Sequence, residues 1–148
     1  MIRKAVGAIV YKEDKFLVVY KMKINTNKGK QDINGEWDFI KGGVEKGEKN
    51  LNFTLMRELN EETGSNEFRI EKVFDEKIYF EFPDEIKEKT GYKNQETTMF
   101  LVKFLGDCDS LTPQDDEIRE LKFIEKEKVL ETLTHQDTKE YFVKHINQ

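Results

Sequence analysis

Two short apolar runs open the chain, residues 5–10 and 15–22, and the charged triplet Lys12-Glu13-Asp14 lies between them. Short apolar runs bounded by a polar turn read as paired strands. The polar residues 25–35 predict a loop, and residues 36–40 a short aromatic-rich strand. Glycines at 42, 43 and 47 predict a loop over residues 42–49. Then the period changes. Leu51, Leu55 and Leu59 recur at i, i+4 and i+8, which predicts a helix over residues 50–63 with its apolar stripe on the core. Gly64 suits the left-handed position just past a helix end. Residues 68–82 are β-rich, as one long strand or two. Residues 83–96 form a polar excursion, and residues 97–105 and 117–124 read as further strands. Helices are predicted over residues 125–133 and 137–146, with residues 134–137 resembling a capping sequence. Strands dominate, with one helix in the middle and two at the end. That order predicts an α+β fold, layered as an α/β/α sandwich.

Composition narrows the class. The chain has 148 residues, 37% charged and 36% hydrophobic, which predicts a single soluble domain over residues 1–148. No apolar run approaches the roughly 18–20 residues of a membrane span. The first ten residues carry no secretory pattern, and Cys108 is the lone cysteine, so a cytoplasmic location is expected. One cysteine and two histidines leave no basis for a Cys- or His-based metal cluster. The net charge of −5 argues against a broad nucleic-acid surface and requires local lysines or metal ions for any polyanionic substrate.

The candidate chemistry lies in the stretch RELNEETG, residues 57–64. Glu58 and Glu61 project onto the flank of the leucine stripe. Glu62 projects about 20° from Leu55, inside the apolar arc. A carboxylate aimed at the core is costly without a partner. A solvated acidic face accounts for Glu58 and Glu61 but accounts poorly for Glu62. A hard divalent cation accounts for all three, because such ions take oxygen ligands and relieve mutual repulsion. Upstream, glycines at 42, 43 and 47 allow positive φ and close backbone approach to a ligand.

Gly42, Glu48, Arg57, Glu58, Leu59, Glu61, Glu62 and Gly64 resemble the box of the Nudix hydrolases. That box reads G, five residues, E, seven residues, then R-E-apolar-x-E-E-x-G-apolar. Two departures are visible. Eight residues separate Glu48 from Arg57, and Ser65 stands at the final apolar position. A register starting at Gly43 would put Lys49 at the glutamate position, so the Gly42 register is preferred, with the extra residue absorbed around Lys49-Asn50. The stretch WDFIKGGVEKGE is similar to the corresponding stretch of dinucleoside tetraphosphate hydrolases in this superfamily, with Ile40 in place of proline and Gly43 in place of histidine.

The resemblance implies the Nudix fold, a mixed β-sheet between helices with its box loop and helix at residues 42–64. It implies metal-dependent hydrolysis of a nucleoside diphosphate linked to another group, best matched by a dinucleoside polyphosphate. A nucleoside triphosphate, ordinary or oxidised, and ADP-ribose remain alternatives, as does a non-catalytic nucleotide sensor. Of the contenders, the 5′ end of RNA fits the acidic composition least well. Mg²⁺ or Mn²⁺ would be held by Glu58, Glu61, Glu62 and the Lys41 carbonyl, with Glu48 as a further ligand. Catalytic roles fall to Glu58, to Arg57 as an orienting group and to Glu117 as general base, with Asp116 and Glu120 as rivals. Phosphates could meet Lys4, Lys21 or Lys41. Tyr79 and Tyr92 are candidates for substrate stacking, while Phe80 and Phe82 read as core. Trp37 is expected to pack beneath the glycine loop, and His135 to have no catalytic role. Gly42, Gly43, Gly47 and Gly64 shape the loop. The expected partner is a small nucleotide, with no membrane or nucleic acid, and the protein is a monomer or homodimer.

Overall fold

The computed structural model describes residues 1–26, 29–114 and 118–146, with backbone only for 23–26 and 29–34. Along them run β1 (Ile2–Lys12), β2 (Lys15–Thr26), β3 (Gly29–Asp38), β4 (Ile40–Gly43), α1 (Leu51–Thr63), β5 (Phe68–Glu81), α2 (Asp84–Thr90), β6 (Asn94–Phe104), β7 (Ile118–Glu125), α3 (Lys126–Thr132) and α4 (Gln136–His145). β1 is the hub. It runs parallel to β6 from Ile2 opposite Asn94 to Tyr11 opposite Lys103, and antiparallel to β4 from Ala5 opposite Gly43 to Ala8 opposite Ile40. β5 pairs outside β6. A turn through Glu13, at φ 56°, carries β1 into β2, which pairs with β3 and β7.

Residues 5–10 of β1 are all buried, as expected of a strand covered on both faces. Alternate side chains go to different cores. Val6, Ala8 and Val10 pack with Leu55 and Leu59 of α1. Ile9 packs with Phe39, Met99, Val129 of α3, Leu133 just past that helix and Phe142 of α4. Helix, sheet and helix therefore form three layers, matching the α/β/α sandwich of the Nudix-like expectation.

Several sequence expectations change. Residues 25–35 are not a loop: among the described residues, the backbones of β2 and β3 pair as a hairpin out to Thr26 and Gly29. Gly42 and Gly43 belong to β4, so the loop runs over residues 44–50. Residues 83–96 contain α2, which buries no residue and so lacked an apolar period. Its acidic first turn, its lysines in the last turn and Gly91 at φ 78° suit a short helix. β6 starts at Asn94, ahead of its apolar part. Leu51 is 37% exposed, and the buried face of α1 runs through Thr54, Leu55, Leu59, Glu62 and Thr63. Thr134 does not cap α4. It accepts from the Trp37 backbone N–H at 2.8 Å and returns its own N–H to the Trp37 carbonyl at 3.0 Å. Trp37 packs on Tyr20, with Lys122 over its ring, in place of the expected site beneath the glycine loop. Phe80 is 38% exposed and meets Phe82 edge to face, so neither anchors the core.

Candidate active site

α1 begins at a side-chain cap, Asn50 Oδ1 accepting from the Asn52 N–H at 2.8 Å, and ends at Gly64 with φ 78°. Just before it, residues 45–48 make a turn closed by the Glu48 N–H to the Glu45 carbonyl at 3.0 Å, with Gly47 at φ 90°. Lys49 and Asn50 join the turn to the helix.

Arg57 ties turn, strand and helix together. Its Nε and Nη2 donate to Glu48 Oε2 and Oε1 at 2.7 and 2.9 Å, and Nη2 also reaches the Gly43 carbonyl at 3.0 Å. Nη1 donates to Glu58 Oε1 at 2.9 Å and Glu61 Oε2 at 3.2 Å, with Glu45 Oε1 at 3.3 Å. Two-point arginine–carboxylate pairing is both directional and strong. The Arg57 hydrogen bonds hold the Glu48 carboxyl at about 2; burial opposes this, while the Glu45 N–H and the Thr54 hydroxyl assist. Arg57 is itself raised above its ordinary value, chiefly by Glu48. The structure thus brings Glu48 to the guanidinium with both oxygens engaged.

Glu58, Glu61 and Glu62 differ sharply in exposure. The side chains of Glu58 and Glu61 are 13% and 46% exposed, and Glu62 is 1% exposed. The apolar-arc projection of Glu62 is met by its burial. A Cβ built at Gly42 would fall on the Glu58 carboxylate, so the bare glycine makes the cradle for that group next to the Lys41–Gly42 peptide. Among the described residues, no three His, Cys, Asp or Glu side chains stand together as a metal group. Between Glu58 and Glu61 the structure has Arg57 Nη1. The donor set nonetheless fits a hard divalent cation: oxygen donors only, one carboxylate nearly buried, one seated in a glycine cradle.

A cleft of about 460 Å³ opens beside Glu58 and is lined by Arg3, Lys4, Gly43, Lys46 and Tyr92. Tyr92 therefore reaches the site, whereas Tyr79 is 65% exposed on β5 and lies outside the lining. Lys41 does not line this cleft, contrary to the expected phosphate contact: its ammonium is bound to Asp38 Oδ1 at 3.2 Å and to the Thr138 hydroxyl at 3.1 Å, on the α4 side of the sheet. Lys21 joins the same aspartate at 3.6 Å. Lys4 lies on the cleft but pairs with Glu96 at 3.0 Å. Glu117 and Asp116 lie outside the described residues; Glu120 is exposed on β7 opposite Tyr20. Sequence reasoning missed Arg3 and Lys46. Only strand register, with β4 ending at Gly43 opposite Ala5, could have found Arg3.

The box geometry, the cleft and the three layers coincide with a NUDIX domain family model that matches residues 1–146. The chain belongs to the Nudix family. It is similar to an RNA pyrophosphohydrolase of Campylobacter jejuni, at 31% identity over 108 residues, covering 72% of this chain and 69% of the relative. The fold is shared with the E. coli dihydroneopterin triphosphate pyrophosphohydrolase (TM-score 0.73, 14% identity, 97% and 94% of the two chains covered). It is shared also with a C. elegans Ap4A hydrolase (TM-score 0.65, 18% identity, 93% and 90%). The protein is a Nudix pyrophosphohydrolase, of a family that generally uses divalent metals. No helix among the described residues is long and apolar enough to cross a membrane.

Proposed function

We propose that this Nudix enzyme cleaves a pyrophosphate bond within the phosphate chain of a nucleotide, with Mg²⁺ or Mn²⁺ held by Glu58, Glu61, Glu62 and the Lys41 carbonyl. The observation that carries this reading is the position of Glu58: one carboxylate lies in the Gly42 cradle, on Arg57, and on a cleft that also presents Arg3, Lys4 and Lys46. A bound cation supplies neutralisation of the phosphate oxygens and acidification of a water. The chain's own residues do the rest. Arg57 fixes the loop to the helix through Glu48 and keeps Glu58 and Glu61 from springing apart while the site is empty of substrate. Glu48 acts through Arg57 and is a positioning residue in place of a ligand. Arg3, Lys4 and Lys46 bind phosphate oxygens in the cleft, and Tyr92 flanks the nucleoside. The proton of the attacking water goes to Glu117, a role that rests on the resemblance.

Two substrates remain to be told apart. The stretch at residues 37–48 favours a dinucleoside polyphosphate. Similarity to RNA pyrophosphohydrolases at 31% identity favours the triphosphorylated 5′ end of RNA, which needs little basic surface. The deciding experiment presents both, with nucleoside triphosphates and ADP-ribose, in Mg²⁺ and then in chelator, and identifies the products. Turnover abolished by chelation supports the reading, and turnover that survives chelation overturns it. Nucleotide binding with no turnover on any substrate would make the chain a sensor.

A further inference from the structure

We propose that Gln95 is a positioning residue that presets the Arg3 guanidinium for the substrate's phosphate chain. This rests on the reading that the cleft beside Glu58 takes a polyphosphate. β6, β1 and β4 are neighbours, and the register sets Arg3 opposite Gln95 and Ala5 opposite both Thr97 and Gly43. Gln95 is 7% exposed, and its Oε1 accepts from Arg3 Nη1 at 2.5 Å. Its Nε2 donates to the Thr97 hydroxyl at 3.2 Å, and Thr97 is itself 1% exposed. An amide offers one acceptor end and one donor end. With the donor end on Thr97, the oxygen faces Arg3.

On its other side Arg3 lies over Gly43. A Cβ there would stand 2.5 Å from Nη2 and 3.0 Å from Cζ. The guanidinium is thus confined between a buried amide on β6 and a bare glycine on β4, at the wall of the cleft. Any side chain at position 43, such as the histidine of the similar subgroup, would displace it. A buried amide costs free energy unless its hydrogen bonds are met. An apolar residue would fill this place at no such cost if packing were its only task. A long side chain that is ordered only on binding weakens binding, by roughly 3- to 10-fold for one residue. Gln95 removes that loss by ordering Arg3 beforehand.

The test uses the full chain carrying Gln95→Met, Arg3→Met or both. Affinity is measured by calorimetry for a β,γ-methylene nucleoside triphosphate with Mg²⁺, and KM and kcat are measured on the substrate found in the panel above. Gln95→Met is expected to weaken affinity roughly 3- to 10-fold and to raise KM with kcat unchanged. Arg3→Met is expected to weaken affinity roughly 10- to 100-fold, and adding Gln95→Met should then change nothing further. If Gln95→Met does not fold, Thr97→Val, which frees the amide's donor end, gives a smaller change of the same kind. Equal losses from Gln95→Met with and without Arg3 would overturn the proposal, as would unchanged affinity. A wild-type chain that does not bind the analogue overturns it too, while hydrolysis itself is judged separately on the substrate panel.

Discussion

Two charged clusters flank the β1–β4 strands, and they are built on opposite plans. On the α1 side, one arginine is shared among Glu45, Glu48, Glu58 and Glu61, with Glu62 buried in the same helix, and the cluster opens on a cleft. On the α4 side, one aspartate, 6% exposed, holds Lys21 and Lys41, and Thr138 takes a further bond from Lys41. Burial pushes the Asp38 carboxyl up, but Lys41 and Lys21 outweigh it and hold it below the ordinary range. The first cluster crowds like charges where a ligand can reach them. The second buries opposite charges with their hydrogen bonds made. Carboxylates gathered on a cleft suit the cation of the proposed reading; attraction that is buried points to a structural tie.

The two clusters should respond differently to neutralisation. In the α1 cluster, Glu62→Gln is expected to reduce kcat roughly 100- to 1,000-fold while thermal unfolding without metal stays near that of the wild type. In the α4 cluster, Asp38→Asn leaves two lysine side chains without their aspartate and is expected to cost about 3 kcal/mol in urea unfolding, with kcat of the folded fraction little changed. Glu48 belongs to the structural part of the first cluster. Its folded pKa lies below its ordinary value of 4.5, so its contribution is complete above about 4.5 and is lost as pH falls towards 2. Glu48→Gln should therefore cost about 2–3 kcal/mol at pH 7, with the difference from wild type shrinking between pH 5 and 2 in a denaturant titration. The smallest effect is expected at His135, which Glu36 raises by a 2.8 Å hydrogen bond. That stabilisation is present below about 6.5 and vanishes as pH rises through the raised value. His135→Asn should cost at most about 0.5 kcal/mol at pH 6, because the side chain is half exposed, and nothing at pH 9.

The sequence made the α1 cluster legible because its information is local. Arg57 to Thr63 lie on one helix, so spacing alone put Glu62 inside the apolar arc, where its 1% exposure places it. The layered fold was legible for the same reason, since β1 and α1 each carry their own period. The α4 cluster was not legible. Lys21, Asp38, Lys41 and Thr138 come from four elements, brought together by strand pairing and by the packing of α4 on the sheet. Lys41 looked like a phosphate contact because it precedes the box glycine, yet strand alternation turns its side chain to the opposite face. α2 buries no residue to announce it, and the outer part of the β2–β3 hairpin, where the sequence is polar, is defined by its backbone pairing.

On the proposed reading, Glu58, Glu61 and Glu62 together hold a divalent ion. The most direct test is Mn²⁺ binding to the wild type and to Glu62→Gln, followed by electron paramagnetic resonance without substrate. The wild type should bind Mn²⁺, and the variant should bind it at least about tenfold more weakly. Equal binding by the two proteins, or none by the wild type, would contradict the account.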